Sequence, residues 1–216
     1  MLKQLSLKYP NLKIAVTLEI DETTKVTSRL NLIMKMKSML TSWRLIMENN
    51  DFSNLIDDGK VILFLGLSEK VLSVFSQKED QILAREIIYK CWEWLKYKEN
   101  IGDNLYELLD NEENGITIIQ EMSENETDVM AWNCIIDAVA YTSREAFERE
   151  GVKYYPEPIA LVDNTLVDHF MDCFERCIEN SDSYIQRINS LLNDYKNRNI
   201  ESDLRTEVLR ELQIQN

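Results

Sequence analysis

Histidine occurs once in this chain, proline three times and glycine five times in 216 residues. Each scarcity excludes something. With a single histidine, any Ser-His-Asp or Cys-His catalytic arrangement would have to use His169. No nucleophile elbow or glycine-rich oxyanion loop accompanies it. Neither a Walker A segment nor a G-x-G-x-x-G phosphate cradle occurs. So few glycines and prolines suit long helices and poorly suit a sandwich or barrel. The four cysteines, Cys91, Cys134, Cys173 and Cys177, include no C-x-x-C pair, and reduced thiols in a cytoplasm are the economical reading. No apolar run approaches the roughly 18–20 residues of a membrane span, and no signal peptide is visible. The expectation is a cytoplasmic protein that is not an enzyme, carries no cofactor and enters no membrane.

What is present is a core and an unusual charge distribution. Apolar residues make up 44% of the chain, the proportion of a globular protein rather than of a disordered acidic segment. The 24 Lys/Arg and 38 Asp/Glu give a net charge of −14, and the pI is near 4.6. Such a field repels phosphates, which argues against nucleic acid as a direct ligand. It accelerates encounter with a basic protein, although acidity can also serve solubility alone.

The charge changes sign near Met47. Residues 1–46 hold eight Lys/Arg against three Asp/Glu, and residues 47–216 hold 16 against 35. The chain therefore divides into a basic leader, 1–46, and an acidic body, 47–216. In the leader, Leu12, Ile14, Val16, Leu18 and Ile20 alternate with other residues, as in a half-buried strand. Val26, Leu30 and Leu32 keep that parity beyond a polar turn, so a β-hairpin is one reading. The other comes from the genetic code. Trp43-Arg44-Leu45-Ile46-Met47 can be encoded with GGAGG, a ribosome-binding sequence, shortly before an ATG. The leader would then be translated upstream DNA.

From Ser53 onward the period is helical. Leu55, Val61, Ile62, Leu65, Val71, Leu72 and Phe75 lie on or beside one apolar face, with Ser53 a sensible N-cap. Ile62 to Leu67 is nearly all apolar, so this helix belongs at the centre of the core. Gly66 within it costs about 1 kcal/mol against alanine, a cost that close approach of another helix would offset. Further helices are expected from about Glu79 to Lys98, from Gly102 through Leu109, from a cap at Thr127 to Gly151, from Pro158 to about Glu179, from Ser183 to Arg198 and from Ser202 to Gln213. Asn114-Gly115 reads as a turn or a helix C-cap. The expected architecture is an all-α single domain of about six to seven helices, preceded by whichever form the leader takes.

Three features invite a chemical reading. His169, Cys173 and Cys177 share one helix stripe at i, i+4, i+8, and all are zinc-ligand types. Three ligands spread over two turns of one helix are hard to aim at one ion, so small buried side chains are the expected role. Trp92 and Trp94 point about 200° apart on a helix, which would turn one of them away from a single core face. The third feature is the interval from Glu99 to Ser143, which has no Lys or Arg and carries eleven acids. Asp103, Glu107 and Asp110 recur there at i, i+4, i+7 as one acidic stripe, and Glu112 and Glu113 follow. Like charges at that spacing repel by a few tenths of a kcal/mol each. The stripe is either a solvated face or a docking surface for a cationic patch.

The same segments carry a family resemblance. Leu67-Ser68-Glu69-Lys70-Val71-Leu72, Cys91-Trp92-Glu93-Trp94-Leu95, Gly102-Asp103-Asn104-Leu105-Tyr106-Glu107-Leu108-Leu109-Asp110-Asn111-Glu112-Glu113, Ala131-Trp132-Asn133-Cys134-Ile135-Ile136 and Glu150-Gly151-Val152-Lys153-Tyr154-Tyr155-Pro156 follow one another in that order. Over about Met47 to Asp163 the chain resembles the all-helical immunity proteins of bacterial polymorphic-toxin systems, the sixth named immunity family or a close relative. The resemblance implies a cytoplasmic antidote that binds one cognate toxin domain, often a nuclease, and blocks it without catalysis. A nuclease is basic because it holds phosphate, so an acidic protein can occupy its groove as a polyanion mimic. On that reading Asp103, Glu107, Asp110, Glu112 and Glu113 form the electrostatic part of the partner-binding site, and Trp94 or Tyr106 the apolar anchor. Two rivals make different demands. A helical scaffold or adaptor would have a large apolar groove, and an enzyme would have a deep pocket around His169.

Overall fold

The computed structural model describes residues 57–195 and 203–214. The two readings of the leader and the expected Ser53 cap lie outside these residues. Within them the chain is all-α, a single domain without strands. Nine helices are formed: α1 (Asp57–Val71), α2 (Lys78–Tyr97), α3 (Gly102–Asp110), α4 (Ile116–Met122), α5 (Glu126–Glu150), α6 (Glu157–Ala160), α7 (Thr165–Cys177), α8 (Ser181–Tyr195) and α9 (Leu204–Glu211).

Two helices organise the rest. α1 packs against α2, α5, α7, α8 and α9, and α5 against α1, α2, α3, α4, α6 and α7. A helix ringed by neighbours needs apolar side chains all round rather than a stripe. From Val61 to Leu65 every residue of α1 is apolar and fully buried. Gly66 is the close approach that its position suggests. A Cβ there would lie 2.9 Å from Ile188 Cδ1 of α8 and 3.0 Å from Val208 Cγ1 of α9. Above it, Phe64 stacks on Tyr141 of α5 with ring centroids 5.0 Å apart and meets the edge of Phe170 of α7 at 4.9 Å.

The two charged groups that α1 buries, Lys60 and Glu69, are partnered from distant parts of the chain, as burial of charge requires. Lys60 Nζ donates to Asn164 Oδ1 at 3.0 Å. The Glu69 carboxylate accepts from Trp92 Nε1 of α2 at 3.0 Å and from Arg205 Nε of α9 at 2.6 Å.

Three local features differ from the sequence-based expectation. α5 is capped by Asn125 rather than Thr127: Asn125 Oδ1 accepts the backbone N–H of Thr127 at 2.8 Å and of Asp128 at 3.2 Å. The helix expected from Pro158 to Glu179 is broken in two. Asp163 Oδ1 accepts from Thr165 N at 2.8 Å and Thr165 Oγ1 at 2.6 Å. An aspartate that binds nearby backbone in this way competes with helix continuation. The next residue, Asn164, is the partner of buried Lys60. Finally, α4 is a helix that the sequence did not announce, because Ile116-Thr117-Ile118-Ile119 is a β-branched run of modest helix propensity.

Candidate functional site

α3 is short and strongly two-sided. It buries Gly102, Leu105 and Leu109 and leaves Asp103, Asn104, Glu107 and Asp110 exposed. Its start is pinned to α5, where Glu150 Oε1 accepts Gly102 N at 2.8 Å and Ser143 Oγ donates to Gly102 O at 3.1 Å. The following turn is equally fixed. Asn111 Oδ1 accepts from Glu113 N at 2.9 Å and Asn114 N at 3.2 Å, and Gly115 N donates to Asn111 O at 2.8 Å. No side chain fits at position 115, where a Cβ would come within 2.6 Å of Leu109 O and 2.7 Å of Asn111 N. The turn holds Glu112 and Glu113 exposed beside the helix.

The structure thus places Asp103, Glu107, Asp110, Glu112 and Glu113 on one helix and its exit turn, all in solvent. Among the described residues none of the five is ion-paired with a cation. Nine of the eleven acids between Glu99 and Ser143 are exposed; Asp128 and Asp137 are buried. These two serve the fold. Asp128 Oδ1 accepts Ser76 N at 2.9 Å and its other oxygen takes the Ser76 hydroxyl, tying α5 to the exit from α1.

The two aromatic candidates separate. Tyr106 is half-buried beside the acidic stripe, and its hydroxyl donates to Asp110 Oδ2. That bond, with the adjacent negative charge, holds the phenol above its ordinary pKa. Trp94 is 2% exposed and belongs to the core, which corrects its assignment as a surface anchor. Trp92 is buried as well. Both can be, although they point apart, because α2 is covered by α1 and by α5. Lys98 Nζ lies 4.1 Å from the centre of the Trp94 ring and pairs with Asp58, closing the remaining side.

His169, Cys173 and Cys177 line the seam between α7 and α5. His169 is exposed, and its Nδ1 lies 2.7 Å from Oδ2 of buried Asp137. Cys173 Sγ is 3.8 Å from His169 Nε2. Burial raises Asp137 above the usual carboxylate range, and its hydrogen bond raises His169. Burial pushes the Cys173 thiol up to about 11, far from an activated nucleophile. Among the described residues no three His, Cys, Asp or Glu side chains are arranged to hold a metal ion. An open groove of about 540 Å³ between α2 and α9 is lined by Arg85, Glu86, Tyr89, Lys90, Glu93 and Arg205. His169 is no part of it.

The fold and surface together define a class: an all-α domain with an exposed acidic face that has no paired cation among the described residues. Comparison with known families makes this specific. The family described as Immunity protein Imm6 matches residues 59–177, more than half of the chain. The chain belongs to that family of immunity proteins, whose function is to neutralise a cognate toxin. The match includes all five exposed acids and ends with α7, leaving α8 and α9 beyond it. No curated protein and no solved structure matches the chain. No helix among the described residues is long and apolar enough to cross a membrane.

Proposed function

We propose that this protein is the cytoplasmic antidote of a bacterial polymorphic-toxin system, binding one toxin domain stoichiometrically and without catalysis. The toxin domain is basic, as a nuclease would be, and is held through Asp103, Glu107, Asp110, Glu112 and Glu113, with Tyr106 as the apolar contact at their edge. The observation that carries this reading is the concentration of exposed acids on α3 and its exit turn, none of them paired with a cation among the described residues. Such an arrangement costs a little self-repulsion, and a cationic partner would convert that cost into complementarity. The fixed Asn111 turn adds to the reading, because pre-ordered charges lose little entropy on binding.

The test is capture of the polypeptide encoded immediately upstream, measured across a salt series. Tight binding that weakens with salt and rescues growth from that polypeptide's toxicity is the expected result. Reversing Asp103, Glu107 and Asp110 to lysine should slow association at least tenfold at low salt and flatten its salt dependence. Unchanged association rates would move the interface elsewhere. A helical adaptor, by contrast, would bind its partner with little dependence on salt.

A further inference from the structure

α7 carries His169 and Cys173 four residues apart, so one turn of helix brings their side chains together on one stripe. The imidazole is oriented from α5: its Nδ1 donates to Oδ2 of buried Asp137 at 2.7 Å. With the carboxylate accepting there, Nε2 carries the lone pair. Cys173 Sγ lies 3.8 Å from that nitrogen. The His169 side chain is 53% exposed and Cys173 is 2% exposed, so the pair has one edge open to solvent and one sheltered. An imidazole held by a carboxylate through one nitrogen, with the other free, is the arrangement of a metal-binding histidine. Zinc bonds imidazole nitrogen at about 2.0–2.1 Å and thiolate sulfur at about 2.3 Å, which at the tetrahedral angle sets the two ligand atoms about 3.6 Å apart. The observed 3.8 Å is close to that separation. Cys177, one turn further on, is engaged otherwise, its Sγ lying 3.6 Å from Phe174 O of its own helix. Sequence spacing argues against three ligands on one helix, and the structure leaves two.

We propose that His169 Nε2 and Cys173 Sγ chelate a borderline divalent cation of the zinc class, with Asp137 as the positioning residue and water completing the coordination. The ion takes the place of the thiol hydrogen between sulfur and nitrogen. That proton goes to solvent, and the thiolate keeps its electron pair for the metal. Sulfur and nitrogen donors select zinc or cobalt over magnesium and calcium, which take oxygen. Two protein ligands with open positions make an exchangeable site, unlike a closed structural one. The Cys173 thiol, pushed up to about 11 by burial, makes the ion compete with a firmly held proton, which also keeps the site exchangeable.

The inference does not depend on the toxin reading and is tested without a partner. Co2+ is titrated into the reduced full-length protein, untagged so that His169 is its one histidine. The expected result is one equivalent bound with the near-ultraviolet absorption of a thiolate–cobalt bond, displaced by Zn2+ and indifferent to excess Mg2+. Cys173→Ala should remove the absorption, His169→Ala should weaken binding at least tenfold, and Cys177→Ala should change neither. Asp137→Asn should keep the absorption but require about tenfold more cobalt, the effect of a lost positioning carboxylate. In the unmutated protein, nitrogen NMR of the single imidazole should show Nε2 shifting with one equivalent of Zn2+ while Nδ1 stays protonated. An imidazole unmoved by zinc, cobalt bound without thiolate absorption, or absorption that depends on Cys177 and not on Cys173 would overturn the proposal. The first two outcomes are read on the unmutated protein and decide the question even if a substitution impairs folding.

Discussion

At Asp137, burial raises the carboxyl pKa, and the imidazole of His169, 2.7 Å away, opposes that rise without cancelling it. His169 is raised in turn by the same bond. Both groups therefore hold protons more tightly in the native protein than in the unfolded chain, so stability falls as pH rises through their titrations. The His169 contribution is complete below its ordinary value of 6.5 and is lost as pH passes its raised one. Urea unfolding between about pH 6 and pH 9 should show this decline. His169→Ala should lower stability at the acidic end and flatten the slope. Gly115 makes a second prediction at this scale. An alanine there would press on the Leu109 and Asn111 backbones, costing about 1–3 kcal/mol in chemical denaturation, as overpacking does.

At the scale of elements, α9 is tied to α1 by the buried carboxylate of Glu69, which Arg205 and Trp92 share. Arg205→Ala leaves that carboxylate without its cation and should destabilise the protein by about 3–5 kcal/mol. The double change Glu69→Leu with Arg205→Met should cost much less, a contrast that thermal melts of the two variants would reveal. This pairing could not be read in the sequence, because it joins residues far apart in the chain. The extents of α2 and α3 were legible from apolar spacing, although the start of α3 is also held by Glu150 and Ser143 of α5. The acidic stripe was legible for the same reason: a period of three to four puts Asp103, Glu107 and Asp110 opposite Leu105 and Leu109. Features decided by tertiary contact were not. Trp94 is buried because α2 has neighbours on two sides, the break before α7 depends on Asp163 and on Lys60 reaching Asn164, and α4 overrides the propensity of its own residues.

Over the whole molecule, charge and stability pull in different directions. Net charge of −14 keeps copies of the chain apart, but within α3 the acids at i, i+4 repel. Glu107→Lys should consequently leave folding stability unchanged or raise it by a few tenths of a kcal/mol, while slowing capture of a basic partner. Denaturation and association rates measured on that one variant would separate the two effects.

The matched family region closes at Cys177, yet the flank of α1 at Gly66 is filled by Ile188 and Val208, which come later in the chain. Kinship and self-sufficiency therefore have different outlines here. A fragment trimmed to the shared stretch would bare an apolar helix along the side where it is narrowest. A relative ending at that point would have to close the gap otherwise, with a bulkier residue in place of the glycine or with a second molecule standing where α8 and α9 stand.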